Sequence, residues 1–324
     1  MILEARHVSR RFAGPATGVV ARVIGGTRDV HAVSDVSLGV GVQEALGLVG
    51  ESGCGKSTLG RMLAGILRPT DGTVLWNGDA VDSLDRAAVR AWTLGVQMVF
   101  QDPQASLNPR GRVVDLVGEA PLIHGMTTPA GRDAYVSALL AEVGLDPGPA
   151  LSKYPHEFSG GQRQRIAIAR ALAVRPAVLV CDEAVSALDV SVQAQVINLL
   201  GDLRQKHGLS LVFISHDLSV VRHLSDRVAV MYLGRIVETA PAGALFSTPS
   251  HPYTQALIAQ MPVLEPGRKQ FSSLPGEMPS PFRPPPGCAF HPRCPHAVAR
   301  CRQERPLLKE VAPGQLAACH LHAG

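Results

Sequence analysis

Short apolar runs alternate with segments of helical periodicity along the middle of the chain. Residues 45–49 form an apolar run that enters a glycine-rich loop, and residues 59–67 repeat apolar positions at helical spacing. Two more apolar runs, at 177–181 and 210–215, have the length of strands in a buried parallel sheet. Residues 191–206 carry an apolar stripe typical of an amphipathic helix. This alternation of strands and helices predicts an α/β core.

Two other segments differ from the core pattern. Residues 1–40 alternate apolar and polar positions in shorter stretches, with a glycine-rich interruption at 14–26, and this indicates an antiparallel β flank. Residues 113–145 have helical spacing that is broken by Pro121 and Pro129. We therefore expect a helical insertion between the first and second core strands.

Composition changes near position 246. Lys plus Arg total 31 against 27 Asp plus Glu, and 8 of these basic residues but only 4 of the acidic ones follow position 245, so the net charge of +4 lies in the tail. The same segment holds 14 of the 25 prolines and four of the six cysteines. We expect one domain over residues 1–245 and an extension over residues 246–324, with 262–287 as a proline-rich linker.

Composition also excludes several classes of protein. With 46% apolar, 18% charged and 4% aromatic residues, the 324-residue chain has enough apolar content for a core and few aromatics for base stacking, so no nucleic-acid partner is expected. No apolar run of about 18 residues is free of charge, so no membrane span is predicted. Residues 1–11 lack the apolar centre of a signal peptide, and a reducing compartment without disulfides is expected.

The loop after the first core strand has the chemistry of a phosphate-binding loop. It reads Gly50-Glu51-Ser52-Gly53-Cys54-Gly55-Lys56-Ser57, which fits G-x-x-x-x-G-K-[ST] between a strand and a helix. Its backbone N–H groups and the positive end of the next helix can hold β-phosphate oxygens. Lys56 is expected to reach the β- and γ-phosphates, Ser57 to bind Mg²⁺, and Thr58 to donate near the α-phosphate. This loop alone is compatible with a kinase, a GTPase and a motor ATPase.

A pair of carboxylates ends the second core strand. Asp182 and Glu183 follow an apolar run, where a buried segment avoids charge unless it serves a cation or a reaction. Asp182 suits the Mg²⁺ shell through a water, and Glu183 is placed to polarise the attacking water as a general base. The alternative is that the two acids cap the next element.

The segment between these two motifs identifies the superfamily. It reads Phe158-Ser159-Gly160-Gly161-Gln162, continued by Arg163-Gln164-Arg165, and it resembles the signature sequence of ATP-binding cassette proteins. Gln101, the run 186–189 and His216 come in the order typical of that family. The resemblance covers residues 1–245 and implies a P-loop nucleotide-binding domain with a RecA-like parallel-sheet core, an antiparallel β flank and a helical insertion.

The same resemblance implies a composite site for ATP and Mg²⁺. Two cassettes stack head to tail, and each ATP lies between the phosphate-binding loop of one chain and the signature of the other. Ser159 and the N–H groups of Gly160 and Gly161, at a predicted helix start, are suited to bind a γ-phosphate. Gln162 and Asp189 belong to the same set of nucleotide-binding residues.

Three further residues take roles from the resemblance. His216 is expected to contact the γ-phosphate, and Gln101 to contact the metal and the water and to sense the membrane partner. An aromatic side chain is expected to stack on adenine, and Phe12 is the candidate. The insertion at 13–29 leaves a core role for Phe12 equally open.

Three segments are similar to the oligopeptide/dipeptide importer family, in particular to the second of its two ATP-binding subunits. They are residues 49–59, residues 185–195 and His251-Pro252-Tyr253-Thr254. The similarity implies an ATP-hydrolysing subunit that energises import of peptides or a related solute. Its partners would be a second, non-identical ATP-binding subunit, two permeases and an extracytoplasmic solute-binding protein, at the cytoplasmic face of the inner membrane.

One position departs from the family pattern, and two other functions compete. The family usually continues its Asp-Glu pair with proline, whereas this chain has Ala184, so slightly looser geometry without loss of activity is expected. A soluble cassette ATPase acting on DNA or ribosomes shares the motifs, but such proteins usually carry long coiled coils or two cassettes. A nucleotide-gated subunit without turnover is disfavoured because Glu183 and His216 are both present.

Four cysteines lie in the tail, separated by five, six and seventeen residues: Cys288, Cys294, Cys301 and Cys319. A segment this small buries little apolar area, so thiolates around a metal would fix it. Their softness allows Zn²⁺ or an iron–sulfur cluster, similar tails in the family suggest [4Fe-4S], and unliganded thiols are the third possibility. We expect a structural centre apart from the nucleotide loop, so that replacing a cysteine by serine spares nucleotide binding.

Overall fold

The computed structural model describes residues 1–13, 29–261 and 276–322. The chain folds into two units: the first comprises Met1–Gly39, Leu46–Asp82 and His216–Gly324, and the second comprises Val40–Ala45 and Ser83–Ser215. Residues 14–28 of the N-terminal insertion and 262–275 of the predicted linker lie outside the described residues.

The elements follow one another along the chain without long irregular segments in the core. The strands are β1 (Leu3–Phe12), β2 (Val30–Val40), β3 (Ala45–Val49), β4 (Asp71–Trp76), β5 (Asp79–Ala80), β6 (Val96–Val99), β7 (Val178–Asp182), β8 (Ser210–Ile214), β9 (Arg227–Tyr232), β10 (Arg235–Pro241), β11 (Lys309–Ala312) and β12 (Gln315–Ala317). The helices are α1 (Lys56–Leu63), α2 (Arg86–Gly95), α3 (Pro103–Ser106), α4 (Val113–Ile123), α5 (Arg132–Glu142), α6 (Pro147–Ala150), α7 (Gly160–Leu172), α8 (Val190–His207), α9 (Leu218–Leu224), α10 (Ala242–Ser247), α11 (Pro252–Ala259) and α12 (Ala299–Gln303). Short 3₁₀ turns cover Val81–Ser83, Pro155–Glu157, His291–Arg293 and His320–His322.

The N-terminal strands of the first unit form the predicted flank. Their order is β2-β1-β4-β5. β1 pairs antiparallel with β4, with Leu3 opposite Trp76, and β4 pairs antiparallel with β5. Buried and exposed residues alternate along the first half of β1, as in a sheet with one face on a core.

The first unit also contains strands in the order β11-β12-β10-β9-β3. β3 and β9 are parallel, with Val49 opposite Val230, and all five residues of β3 are buried. β9 and β10 form a hairpin through Leu233 and Gly234, whose φ values of 45° and 78° suit a two-residue turn.

The C-terminal tail joins this group of strands. Glu238 of β10 lies opposite Ala317 of β12, and β11 pairs with β12. The structure therefore does not support an appendage that only its cysteines hold in place, because ladder hydrogen bonds fix the tail to β10.

Three parallel strands, in the order β8-β7-β6, form the sheet of the second unit. Every residue of β7 and β8 is buried, which explains their continuous apolar runs. The helical insertion is present as α4, α5 and α6, and Val136 and Leu140 of α5 share one fully buried face. Pro121 lies inside α4 and does not end it, contrary to the predicted break.

Within the part of the chain that the structure describes, we find no helix of the length and apolarity that a membrane crossing requires.

Candidate nucleotide-binding site

Glycines determine the path of the phosphate-binding loop, which joins β3 to α1 in the first unit. Gly50, Gly53 and Gly55 have φ values of 151°, 79° and 108°, in the region that favours glycine. A Cβ on Gly50 would lie 2.2 Å from the carbonyl oxygen of Met231, and one on Gly55 would lie 2.1 Å from that of Ala32. The loop therefore excludes side chains where its backbone turns toward a ligand.

Lys56 places a buried positive charge in this loop. The residue is 4% exposed, and its Nζ donates to the carbonyl oxygens of Gly50 at 2.8 Å and Glu51 at 3.0 Å. No side chain caps the N-terminus of α1 at Gly55, so its first N–H groups suit an anion. Ser57, half-buried in the first turn of α1, offers a hydroxyl for Mg²⁺. These groups fit the phosphates of ATP and a magnesium ion.

Three contacts from later parts of the chain support the loop. The N–H of Gly234 donates to the carbonyl oxygen of Cys54 at 2.8 Å, and the hydroxyl of Tyr253 accepts from the N–H of Glu51 at 2.9 Å. The guanidinium of Arg293 donates to both carboxylate oxygens of Glu51, at 2.7 and 3.0 Å. The expectation that the tail lies apart from the nucleotide loop is wrong, because Tyr253 and Arg293 both belong to the extension.

The His251-Pro252-Tyr253 segment delivers the tyrosine. His251 is the N-cap of α11, and its Nδ1 accepts from the N–H of Tyr253 at 3.0 Å. The carboxylate of Glu238, itself fully buried, accepts from the N–H of His251 at 2.9 Å. Burial lowers the pKa of His251 to about 4, so the imidazole is neutral at pH 7 and can accept.

The carboxylate pair lies at the end of β7 in the second unit. Asp182 is buried at 3% exposure, and Glu183 has a φ of 47°, a left-handed backbone that is uncommon for glutamate. Nε2 of Gln101 donates to Oε2 of Glu183 at 3.0 Å. The N–H of Ser186 donates to the carbonyl oxygen of Glu183 at 3.1 Å, which closes a turn around the buried Ala184. The predicted base and the predicted water-positioning glutamine are thus in contact.

The signature segment forms the N-terminus of α7, also in the second unit. Ser159 is its N-cap: the Ser159 hydroxyl accepts from the N–H of Gln162 at 3.3 Å, and Oε1 of Gln162 accepts from the N–H of Ser159 at 3.0 Å. This is a reciprocal capping box. Ser159 and Gln162 are both exposed, and a Cβ on Gly161 would lie 2.4 Å from Cγ1 of Val192.

The other predicted residues lie at element ends. Phe12 ends β1 and is 37% exposed, with the guanidinium of Arg10 4.8 Å from its ring centre, so a core role is excluded. His216 follows β8 and is exposed, and Asp189 is the exposed N-cap residue of α8. Cys181 is a packing residue, because burial raises the pKa of its thiol to about 12.

The tail cysteines are close enough to influence one another. The N–H of Cys288 donates to the carbonyl oxygen of Cys301 at 2.9 Å. Burial, together with the charges of Cys301, Cys319 and Cys294, raises the pKa of the Cys288 thiol to about 11. Over residues 1–13, 29–261 and 276–322, no group of three or more His, Cys, Asp or Glu side chains is arranged to hold a metal ion. The structure therefore gives no support to the predicted iron–sulfur or zinc centre.

Sequence reasoning missed the roles of Tyr253 and Arg293. The His251-Pro252-Tyr253 run indicates a family, but nothing local in it points to the phosphate-binding loop. Arg293 carries no motif of its own, and its partner Glu51 is 242 residues away. Only the folded chain brings these groups together.

Comparison with known proteins agrees with this geometry. Residues 33–186 match the family described as ABC transporter, and residues 237–301 match the oligopeptide/dipeptide transporter C-terminal region. The chain is 49% identical to the oligopeptide transport ATP-binding protein AppF of Bacillus subtilis, covering 99% of this chain and 98% of that protein. It is 50% identical to the dipeptide transport ATP-binding protein DppF of Escherichia coli, covering 90% of this chain and 87% of that protein.

A solved structure shows the same fold. A dimeric ATP-binding cassette in a post-hydrolysis state, with ADP and phosphate bound, superposes with a TM-score of 0.63 at 26% identity, covering 74% of this chain and 98% of that one. The glycine cradle, the Asp-Glu strand and the self-capped signature helix thus occur in a chain about half identical to peptide-transport ATP-binding proteins over nearly its full length. The chain belongs to the ABC transporter family, in the group of ATP-binding subunits whose ATPase activity is coupled to transport.

Proposed function

We propose that this chain binds and hydrolyses ATP to energise import of peptides or a related solute through a pair of membrane permeases. The observation that carries the proposal is the phosphate-binding loop: three glycines with positive φ surround the buried ammonium of Lys56. Peptide import is supported by the names of the two relatives, which transport oligopeptides and dipeptides.

The first unit holds the phosphates in this proposal. Lys56 turns from the carbonyl oxygens of Gly50 and Glu51 to the β- and γ-phosphates, and N–H groups of the loop and of α1 bind the phosphate oxygens. When bound, Mg²⁺ neutralises the charge that develops on the transferred phosphoryl group. Ser57 and, through water, Asp182 are its ligands, and Phe12 offers its exposed ring to adenine.

The second unit activates water in this proposal. Glu183 accepts a proton from the attacking water, and Gln101, already hydrogen-bonded to the Glu183 carboxylate, orients that water. His216 donates toward the γ-phosphate. The strained backbone of Glu183 fixes where the carboxylate points, which is typical of a catalytic position.

Replacement of Glu183 by glutamine tests the assignment of the base. Because binding uses the loop and turnover uses the carboxylate, E183Q should bind ATP with parental affinity and hydrolyse it at least about a hundredfold more slowly. A stable ATP-bound dimer should accumulate, as measured by light scattering. Parental hydrolysis by E183Q would refute Glu183 as the base.

A composite site follows from the signature helix. The exposed Ser159 hydroxyl and the N–H groups of Gly160 and Gly161 bind the γ-phosphate held by a second, non-identical ATP-binding subunit, with Gln162 and Asp189 beside them. The remaining proposed partners are two permeases and an extracytoplasmic solute-binding protein, with this chain at the cytoplasmic face of the inner membrane. Purified alone, the chain should hydrolyse ATP poorly, and co-expression with the second cassette and permeases should raise the rate. Full activity of a monomer would contradict the composite site.

We also propose that Cys288, Cys294, Cys301 and Cys319 bind one structural metal centre, [4Fe-4S] or zinc. The mutual influence of the four thiols on the pKa of Cys288 supports this, because a cation among them would stabilise their thiolates. Anaerobic purification and metal analysis provide the test. About four irons with sulfide per chain indicate the cluster, about one zinc indicates the alternative, and neither metal refutes the centre.

A further inference from the structure

The extension contacts the nucleotide loop through a buried, two-point ion pair. Arg293 donates from Nη1 to Oε2 of Glu51 at 2.7 Å and from Nη2 to Oε1 at 3.0 Å. The Arg293 side chain is 5% exposed and that of Glu51 is 27% exposed. A bidentate guanidinium–carboxylate pair fixes both distance and orientation, so the position of Glu51 depends on that of Arg293.

Aromatic packing holds Arg293 in place. Phe290, three residues before it, is 1% exposed and meets Tyr232 edge-on, with ring centres 5.3 Å apart and planes at 87°. The rings of Phe290 and Tyr253 have centres 5.4 Å apart, and the hydroxyl of Tyr232 lies 3.5 Å from Nη1 of Arg293. Tyr253 in turn accepts the N–H of Glu51 at 2.9 Å. The extension thus holds both the backbone and the side chain of one loop residue.

The charge of Glu51 makes this contact important for the ligand. Glu51 lies directly after Gly50 in a loop shaped for phosphates, and a carboxylate there repels an anionic ligand. The two N–H groups of Arg293 neutralise the carboxylate and hold it in one orientation. The carbonyl oxygen of the same residue accepts from Nζ of Lys56 at 3.0 Å, so a shift of Glu51 also moves the lysine that is proposed to bind phosphates.

We propose that Arg293 is a positioning residue for the nucleotide site, through which the C-terminal extension sets the affinity of the phosphate-binding loop for ATP and ADP. The inference rests on the proposed nucleotide binding, because Arg293 acts through Glu51 and not on the nucleotide itself. The extension is then a working part of the ATP site. Both ATP and ADP should respond, because the loop is suited to the β-phosphate that they share.

A double-mutant cycle on the full-length chain tests the electrostatic part of the proposal. The dissociation constants of MgATP and MgADP are measured by calorimetry for the parental chain, R293A, E51Q and the double variant. R293A should weaken both nucleotides about tenfold, because the carboxylate is left without its partner. E51Q should tighten them about threefold, because an unpaired cation then lies near the phosphates. The double variant should lie within about threefold of the parental chain, since neither charge remains.

Two controls distinguish positioning from a general loss of structure. R293K keeps the charge but loses the bidentate geometry, so it should recover part of the affinity that R293A loses. R302A removes an exposed arginine of the same extension and should bind nucleotides as the parental chain does. The affinity lost in R293A should also shrink at high salt, because salt screens the uncompensated carboxylate.

The outcomes separate this inference from the proposed function. If the parental chain binds no nucleotide, the proposed function fails. If it binds ATP and the double variant is as weak as R293A, the role of Arg293 is packing alone and the inference is overturned. Parental affinity in R293A overturns it as well. Should R293A fail to fold by circular dichroism, R293K and the double variant decide: parental affinity in the former, or a tenfold loss in the latter, refutes the inference.

Discussion

Two helix N-termini in this chain suit phosphate, and they are built in opposite ways. At α1 the cap is a glycine without a side chain, the adjacent lysine is buried, and three contacts from residues 234–293 support the loop. At α7 the cap is a serine in a reciprocal capping box, and Ser159 and Gln162 are exposed. The first is a binding site within one chain, whereas the second satisfies its own end and leaves an exposed surface for a partner.

This difference explains why the two sites tolerate change differently. Gly50 and Gly55 lie within 2.2 Å of backbone atoms once a Cβ is added, so the first N-terminus cannot change without moving other strands. At the second, only Gly161 is packed tightly, and the nearest atom to a Cβ on Gly160 is 3.7 Å away. Binding therefore depends on the tertiary structure at α1 and on an approaching subunit at α7.

The largest effect is expected from Lys56→Ala. The variant removes a buried ammonium and leaves the carbonyl oxygens of Gly50 and Glu51 without its hydrogen bonds. ATP affinity of the isolated chain should fall about a hundredfold or more, as measured by calorimetry. Circular dichroism confirms that the variant is folded. Parental affinity would show that α1 is not the phosphate site.

The second largest effect is expected from Ser159→Arg, and it should appear only in the assembled transporter. A long cation at an exposed cap blocks a phosphate from another subunit, so hydrolysis by the assembly should fall about a hundredfold. ATP binding to the isolated chain should be retained, because the loop is elsewhere in sequence and structure. Ser159→Thr keeps the cap and is the control. Equal losses in the isolated chain and the assembly would contradict the contrast between the two helix ends.

A pH-dependent effect is expected at the support of the first N-terminus. Because the pKa of His251 is lowered from 6.5 to about 4, the unfolded chain takes up its proton first as the pH falls. The stability that the neutral imidazole contributes is complete above pH 6.5 and is lost between pH 6.5 and 4, by up to about 3 kcal/mol. His251→Asn keeps a cap that accepts from Tyr253 and should lose less stability over this range in urea titrations. Parallel curves for the two proteins would contradict this.

The smallest effect is expected from alanine at the signature glycines. A Cβ on Gly161 would lie 2.4 Å from Val192, so Gly161→Ala should destabilise the chain by about 1–3 kcal/mol. Gly160→Ala meets only Leu188 at 3.7 Å and is the matched control. Urea midpoints measure both. Equal midpoints would show that packing does not explain the second glycine.

Elements with strong local signals were predictable from the sequence. The predicted helix 191–206 is Val190–His207 in the structure, and the apolar runs before the loop and before Asp182 are β3 and β7. β6 was missed, because four residues that directly follow α2 give no period and no turn signal. The hairpin of β9 and β10 was not predicted either, although Leu233-Gly234 separates two apolar runs.

The sequence by itself determined the chemistry of each motif, because a phosphate-binding loop, an Asp-Glu pair and a capped helix start each depend on a few neighbouring residues. Tertiary structure alone decided which groups surround that chemistry. The ion pair of Arg293 with Glu51 joins residues 242 positions apart, and it exists only because Tyr232, Tyr253 and Phe290 pack together. Pairing of β10 with β12 likewise fixes the tail beside the cassette strands. Long-range contacts of this kind follow from packing and leave no period in the sequence, because their partners are selected by shape and charge in the folded chain.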